Sequence, residues 1–475
     1  MNKLVKLIFS FVIVTVAALL ISSCGVIDRL KDSGTPAIPE HNCAQYSVWK
    51  IEAYPTEETK GIKIKICDYC EKKLDRVEVS GVSNGLSYEI KDDGAWITGI
   101  GDCADTDIVI PEIIEGKNVV GIANGAFYEN TNITSVVMPN TVTAVEGFAF
   151  NGASALCDVI LSSNLKSLGE LAFRACALTS VYLPGSLGDQ TGYGTFGYCE
   201  SLKNVVLGEG VKYLVGTFSY CTSLEFLSLP STLNSIENAF YKAENIKKVN
   251  FRGDIGQYCE LEKSGNYFGG SQSYATFYNA TILIGGNPIP ENLVIPEGTT
   301  KISYRAFWCM KIKSVKIPDS VTSIGNEAFA HCALLKSVDF GNGLEYIGHY
   351  AFRGCESLKE IKIPDGIKTI ERGAFQECKG VEYVEIGEGL ETLKESTLGC
   401  LTSIKTLKLP STLVRYENPV FLFSTNLESV YYNGTVEEWV AFLRRGDTYH
   451  TDDFKGARIY CTDGEIFRSV VTYYK

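Results

Sequence analysis

The sequence predicts a solenoid, in which short β-strands and turns wind into stacked coils. The first observation behind this prediction is a repeat of 23 residues along most of the chain. The second is an Ala-Phe pair whose aromatic recurs in two arrays of six, at steps of 22 or 23 residues. One repeat cannot bury its own apolar side chains, but stacked repeats align like residues in rows. The aromatic row is Phe127, Phe150, Phe173, Phe196, Phe218 and Phe240, then Phe307, Phe329, Phe352, Phe375, Leu398 and Phe421.

A segment of the type Leu-x-x-Val-x-Ile predicts the strand of each repeat. In the repeat that begins at Leu335, alternation with period two turns Val338 and Phe340 inward and Ser337 and Asp339 outward. Successive strands then form one continuous parallel β-sheet, and turns and short helical turns complete each coil. Pro or Gly follows the strands in alternation, Pro because it removes a hydrogen-bond donor and Gly because it permits positive φ.

Charge and composition exclude some classes of protein. The 475 residues carry 44 Lys and Arg against 56 Asp and Glu, a formal net charge of −12, without a basic run. A nucleic-acid partner is therefore not expected. The chain has four histidines, and no hydrolase, metalloprotease or phosphate-loop motif is found. We therefore expect a protein that is not an enzyme and requires no cofactor for catalysis.

The N-terminal residues predict export. Residues 1–23 combine two lysines with an apolar stretch, as in a secretion signal. The Ile-Ser-Ser that precedes Cys24 resembles the bacterial lipobox, which implies cleavage there and lipid attachment to Cys24. The alternative is an uncleaved membrane anchor, although about 15 apolar residues fall short of the roughly 20 that a span needs. We expect residues 24–40 to tether the folded part to the bacterial envelope, at the cell surface.

A small Cys/His module is predicted over residues 41–85. Its four soft ligands, in two clusters with short internal spacing, could surround a structural Zn²⁺ with tetrahedral geometry. The segment resembles a small module that precedes repeats in surface proteins, although Glu57 stands where that module often carries another cysteine. A disulfide, or a degenerate module without metal, is the alternative. The four residues are His41, Cys43, Cys67 and Cys70.

Other cysteines recur at the repeat period and form ladders. Disulfides are one interpretation for an exported chain, and buried thiols that act as small hydrophobes are the other. We favour buried thiols, because each stacked repeat needs a small apolar filler at the same position. The ladders are Cys176 and Cys199 in the first array, and Cys309, Cys332, Cys355 and Cys378 in the second.

The outward strand position differs between the two arrays. In the second array its charge alternates in sign, which predicts pairs between neighbouring strands of about 0.2–1 kcal/mol each. In the first array the same face is apolar, as in an interaction site for a protein or glycan, unless the interruption or the N-terminal module covers it. The charged residues are Lys316, Asp339, Lys362, Glu385 and Lys408. The apolar residues, here called the stripe, are Val137, Ile160, Tyr182, Val206 and Phe226.

The repeats resemble the BspA-like leucine-rich repeats of bacterial surface proteins. The repeats around Phe329, Phe352 and Phe375 carry this resemblance, and the restart at 282–298 and the closing segment at 431–464 strengthen it. It implies a right-handed leucine-rich-repeat coil. The divisions that follow are a first array at 86–252, an interrupting segment at 253–292, a second array at 293–430 and a capping segment at 431–475.

The resemblance also implies a function, namely adhesion without catalysis. A long, pre-ordered face would bind proteins on host or microbial surfaces, and the lipid anchor would hold the chain at the membrane. Two alternatives stay open. One is a glycan-capture lipoprotein, in which aromatic side chains such as Tyr182 stack on sugars. The other is an architectural envelope protein with no external ligand.

Overall fold

The structure of the protein is a computed structural model, and the residues that it describes begin at Cys43. The predicted signal peptide and tether, with Cys24 and His41, lie outside the described residues. Those residues are 43, 47–56, 59–67, 70, 72–264, 277, 280–417, 420–421, 423–424, 426–445, 454 and 456–467.

An antiparallel sheet of three strands precedes the repeats, and we call it the module. Its order is β1 (Ser47–Ala53), β2 (Gly61–Cys67) and β3 (Lys73–Val79). A hairpin of β4 (Ser87–Lys91) and β5 (Gly94–Gly99) then leads into the repeats, because β5 pairs in parallel with β8 (Lys117–Ile122).

The repeats form a solenoid of about 14 turns with parallel sheets and little helix, as the sequence predicts. One strand per turn builds the side that we call the strand face. In the first part it comprises β6 (Asp107–Val109), β9 (Ser135–Val137), β11 (Asp158–Ile160), β13 (Ser180–Leu183), β14 (Asn204–Leu207), β16 (Phe226–Leu229), β18 (Lys248–Phe251) and β20 (Thr281–Ile284). In the second part it comprises β22 (Asn292–Val294), β24 (Ser314–Lys316), β26 (Ser337–Asp339), β28 (Glu360–Ile363), β30 (Tyr383–Ile386), β32 (Thr406–Leu409), β34 (Ser429–Tyr432) and β35 (Arg458–Cys461).

Shorter strands build a second side in the same register. Ile324, Ile347 and Ile370, for example, pair in succession across three turns. These strands are β8, β10 (Ala144–Val145), β12 (Ser167–Leu168), β15 (Tyr213–Val215), β17 (Ser235–Glu237) and β19 (Glu262–Ser264), then β23 (Lys301–Ile302), β25 (Ser323–Ile324), β27 (Tyr346–Ile347), β29 (Thr369–Ile370), β31 (Thr392–Leu393) and β33 (Arg415–Tyr416).

The remaining elements are short. They are β7 (Ile113–Ile114), β21 (Asn287–Pro288) and β36 (Gly464–Phe467), which form hairpins with β8, β20 and β35, the helices α1 (Ile255–Glu260) and α2 (Val436–Arg445), and a 3₁₀ turn at Gly185–Leu187. Among the described residues, neither helix has the length and apolar character needed to cross a membrane.

The third side is a corner centred on each aromatic of the repeated row. Around Phe352, the backbone N–H groups of Tyr350, Phe352 and Gly354 donate to carbonyls of the next turn at 3.1, 2.7 and 2.8 Å. Tyr350 and Gly354 have left-handed backbone, with φ of 55° and 71°. This conformation costs an ordinary residue such as Tyr350 about 1–2 kcal/mol. The inter-turn hydrogen bonds offset that cost, because they satisfy backbone groups that the corner would otherwise leave unpaired.

One continuous core fills the solenoid, with buried residues from Leu86 to Ile459. The aromatic row stacks along it, for instance with ring centroids 5.2 Å apart between Phe329 and Phe352. The segment predicted as an interruption is itself a solenoid turn, because β19 and β20 pair with β17 and β18. Tyr258 of this segment lies 5.6 Å from Phe251 and 5.9 Å from Phe307, ring to ring. The core therefore passes through the segment without a break.

The strand face is built in hydrogen-bonded segments. Its described strands leave the ladder unpaired between β11 and β13, between β20 and β22, and between β26 and β28. At the last of these gaps, Phe340 replaces the isoleucine of the neighbouring turns and packs edge-on against Phe352, with ring centroids 5.7 Å apart. We attribute the gap to the larger inward side chain, which leaves the sheet segmented over a continuous core.

The buried cysteines of the ladders form no disulfides, and their thiols donate hydrogen bonds to the preceding turn. Cys199 Sγ lies 3.1 Å from the Phe173 carbonyl oxygen, and Ser424 makes the same type of bond to Leu398 at 2.9 Å. Burial raises the pKa of the Cys199 thiol to about 12, so it stays protonated. The prediction was wrong for Cys309, which is exposed because the local step is 22 residues rather than 23. The buried members are Cys176, Cys199, Cys221, Cys332, Cys355 and Cys378.

The glycines that end strands serve close packing of adjacent backbones. The expected positive φ is not found at Gly208, Gly341 or Gly387. A Cβ on Gly208 would lie 2.6 Å from the Gly185 nitrogen and 3.1 Å from the Leu183 oxygen. Glycine is therefore required here because the neighbouring turn approaches too closely for a side chain.

We expect Gly208→Ala to lower the free energy of unfolding by about 1–3 kcal/mol, because the added methyl group overlaps fixed backbone atoms. Chemical denaturation followed by circular dichroism measures the change. Gly81→Ala is the matched control, since its Cβ would meet no atom closer than 3.8 Å. Equal stabilities of the two variants would contradict the packing explanation.

Candidate functional site

The stripe on the first strand face is covered by the module. Val137, Ile160, Val206 and Phe226 are buried and Tyr182 is half-buried. The sequence left an open and a covered stripe as alternatives, and the structure has the covered arrangement. These residues are therefore not available as an exposed interaction surface.

Apolar contacts and polar anchors both hold the module on the stripe. Trp49, Ile51 and Tyr54 of the module pack against a cluster that includes Val137 and Ile160. The Tyr54 hydroxyl donates to the carbonyl oxygens of Ile110 and Val137. Burial raises the pKa of Tyr54 above its usual value, with a smaller contribution from Glu112, so the phenol remains a donor.

Two charged groups of the module also reach the solenoid. Lys63 Nζ lies 2.7 Å from an Asp158 carboxylate oxygen, and both side chains are largely shielded from solvent. Lys50 Nζ lies 4.3 Å from the centroid of the Tyr182 ring, in a cation–π contact. Tyr182 thus contacts a lysine of the same chain, which weakens its case as a platform for sugars.

The strand face of the second array presents an open, mixed surface. Lys316, Asp339 and Lys362 are exposed there. The expected cross-strand pairing occurs between Glu385 and Lys408, whose charged atoms are 3.4 Å apart. Lys362 instead pairs with Glu360 of its own strand at 2.7 Å, so the predicted ladder is only partly formed.

A groove of about 730 Å³ follows this open face from β22 to β30. Its lining combines charged side chains with the apolar Val294, Val338 and Phe340. Val294 is 58% exposed, so it presents apolar surface within the groove. Asn433 closes one end and donates to Glu388 at 3.0 Å.

Three module cysteines converge at the edge of the covered stripe. The sulfur atoms of Cys43, Cys67 and Cys70 all lie within 4.8 Å of one another. Partial burial opposes ionisation of Cys70, but hydrogen bonds from the Lys72 backbone and from the other two thiols outweigh it. The pKa of the Cys70 thiol is therefore lowered. Among the four predicted metal ligands, His41 lies outside the described residues.

Sequence reasoning missed a row of tyrosines on the corner of the first array. The rings of Tyr198 and Tyr220 stack with centroids 4.4 Å apart, and Arg174 lies over Tyr198 at 4.5 Å. Tyr198 and Tyr241 are partly exposed to solvent. Their signal was present in the repeat, because Tyr198 and Tyr220 each follow the aromatic row by two residues.

A single-core solenoid of parallel strands, with one covered and one open strand face, defines a leucine-rich-repeat scaffold of the kind used for recognition. The family model described as "BspA type Leucine rich repeat region" matches six copies, over residues 120–247, 216–260, 289–355 and 322–441. The chain belongs to the BspA-type leucine-rich-repeat family, as the repeats predicted. Membership in this family of surface proteins indicates that the chain has a role in binding or recognition and an extracellular or surface location.

Solved structures of similar proteins come from several bacteria. A leucine-rich repeat protein from Bacteroides ovatus is 20% identical, with a TM-score of 0.43, over 73% of this chain and 98% of that one. A leucine rich cell surface protein from Faecalibacterium prausnitzii is 25% identical, with a TM-score of 0.38, over 76% and 98%. The pneumococcal vaccine antigen PcpA is 19% identical, with a TM-score of 0.46, over 81% and 98%. No curated protein matches the chain.

Proposed function

We propose that this protein is a non-catalytic recognition protein that binds another protein through the open strand face of the second array. The observation that carries the proposal is the contrast between the two faces. The module buries the stripe of the first array, whereas the second array leaves a groove of about 730 Å³ with an exposed valine. A rigid scaffold that covers one face and leaves the other open directs a partner to the open face.

The chemistry of the open face suits a protein surface. Lys316 and Lys362 alternate with Asp339 and Glu385 along the strands, and the further carboxylates of Glu360, Asp365 and Glu388 make the groove acidic overall. A partner with complementary charges gains specificity and a faster association rate from such a pattern. Val294 supplies an exposed apolar contact that a protein partner would bury. Host or microbial surface proteins are the partners that we propose.

Location is part of the proposal. Export, lipid attachment at Cys24 and a tether over residues 24–40 would hold the solenoid at the cell surface, where such partners are met. The alternating face would then be presented by a pre-ordered scaffold, which lowers the entropic cost of binding.

We expect the full-length protein to capture a partner from surface extracts, and the double variant Lys316→Glu/Lys362→Glu to bind it at least tenfold more weakly. The reversal removes the positive charges that alternate with Asp339 and Glu385, and like charges on neighbouring strands repel. Quantitative pull-down and biolayer interferometry measure the loss. Tyr198→Ser/Tyr220→Ser is the matched control on the other array. Unchanged binding by the charge-reversed variant would contradict the proposed face.

Glycan capture is the second candidate function, and the tyrosine row favours it. Tyr198 and Tyr241 are each 39% exposed, so the row offers aromatic surface that a sugar would contact outside the Tyr198–Tyr220 stack. A glycan array probed with the same proteins separates the two functions. Glycan binding that is lost only in the tyrosine variant would favour capture, and no partner in either arm would favour an architectural role in the envelope.

A further inference from the structure

We propose that Cys43, Cys67 and Cys70 hold a structural Zn²⁺ that fastens the module onto the solenoid. The three residues come from two separate parts of the chain, before β1 and around the turn that follows β2. Their sulfur atoms nevertheless meet within 4.8 Å of one another. This site is independent of the partner-binding face proposed for the second array.

The sulfur geometry fits a tetrahedral thiolate site. With zinc–sulfur bonds of about 2.3 Å, two sulfur ligands of a tetrahedron lie about 3.8 Å apart. The sulfur atoms of Cys43 and Cys70 are 3.7 Å apart. A disulfide needs sulfur atoms about 2.05 Å apart and would use only two of the three thiols. The triangle of three sulfur atoms is therefore explained by a metal better than by one covalent bond.

The local backbone supports the same chemistry. The Cys67 N–H donates to the Lys72 carbonyl at 2.9 Å, which brings together the two residues that flank Cys70 in the described chain. The Lys72 N–H is directed at the Cys70 sulfur, as is common for the sulfur ligands of metal sites. Three thiolates supply three ligands of a tetrahedral site, and soft sulfur ligands favour Zn²⁺ over harder cations such as Mg²⁺ or Ca²⁺.

The location of the site suggests why a metal would be useful. Cys67 is fully buried and forms one small cluster with Phe226 of β16, against which Cys43, Cys70 and Leu74 also pack. Phe226 belongs to the stripe that the module covers. A metal that fixes the turn after β2 would thus fix the surface that seats on Phe226. The sheet of three strands gains a staple of the kind that small domains need.

The test uses the full-length protein, purified under reducing conditions with zinc present and then dialysed. We expect about one zinc per chain by elemental mass spectrometry, and the bands of tetrahedral cobalt–thiolate coordination on titration with Co²⁺. Cys43→Ser/Cys67→Ser/Cys70→Ser should lose both signals. Cys157→Ser, which removes an exposed thiol of the solenoid, is the matched control and should retain them.

A second readout addresses the fastening role without any substitution. Removal of zinc by a chelator should increase hydrogen exchange at least tenfold in β1 to β3, while the strands of the second array stay protected. A zinc content well below one per chain would overturn the proposal, and so would zinc retained by the triple variant. The proposal would also fail if the chelator left the rate of hydrogen exchange in the module unchanged. A Cys43–Cys70 disulfide found by mass spectrometry in the metal-free native protein would establish the covalent alternative.

Discussion

Truncation of one aromatic in the repeated row, Phe352→Ala, should lower the free energy of unfolding by about 3–5 kcal/mol. Phe352 is fully buried, and its ring lies between those of Phe329 and Phe375, at 5.2 and 5.3 Å. Removing it leaves a cavity at the centre of the stack, and the corner backbone cannot collapse into it because both neighbouring turns hydrogen-bond to it. Chemical denaturation followed by circular dichroism measures the loss.

Phe423→Ala is the control for this prediction. Phe423 is 67% exposed, so its truncation should change stability by less than about 0.5 kcal/mol. The stacking of the turns also predicts which residues lose protection from hydrogen exchange in Phe352→Ala. Each turn of a solenoid contacts only its neighbours, so hydrogen exchange should increase most around Phe329 and Phe375. A loss below 1 kcal/mol for Phe352→Ala would contradict the view that the aromatic row is the main support of the core.

A charge placed under the module should detach it while the solenoid stays folded. Val137 points outward from β9, lies between Val109 and Ile160 in register, and is buried against the module. Val137→Asp would leave an unpaired carboxylate in this contact, at a cost of roughly 3–5 kcal/mol. We expect the module to become susceptible to limited proteolysis and its amide protons to exchange rapidly.

The matched control is Lys316→Asp, at the same strand position of the open face. Lys316 is exposed, so this change should leave both the module and the solenoid protected. Circular dichroism should show similar solenoid unfolding in both variants, because Val137 does not face the inner core. A module that stays protected in Val137→Asp would mean that the polar anchors of Tyr54 and Lys63 suffice to hold it.

The sequence predicted the buried positions best where the same residue type recurs at the repeat period. The aromatic row, the buried thiols and the inward strand positions could be predicted because each turn meets only the turns before and after it. A residue type that recurs every 22 or 23 positions therefore contacts the equivalent residue of the adjacent turn. The burial of Tyr258 could not be predicted in this way, because its position does not match the repeat. Its ring nevertheless packs in the core between those of Phe251 and Phe307.

The local step of the repeat explains the errors. Cys309 matched the spacing of 23 residues to Cys332, but the aromatic row advances by only 22 residues between Phe307 and Phe329. The offset moves Cys309 from the buried position to the exposed left-handed position of the corner. Gly208 was also explained by the wrong property, since its constraint comes from the Gly185 backbone rather than from its own φ.

By itself, the sequence determined that this protein is a solenoid with one apolar and one charged strand face. The tertiary structure decided which of these faces is open. The module does not repeat, so no periodicity relates Trp49 or Tyr54 to the stripe, and their contact with Val137 joins residues more than 80 positions apart. The meeting of Cys43 with Cys67 and Cys70 likewise depends on the pairing of β1 with β2. Contacts between stacked repeats are encoded locally, whereas the docking of a non-repeating segment depends on shape and burial that exist only after both parts have folded.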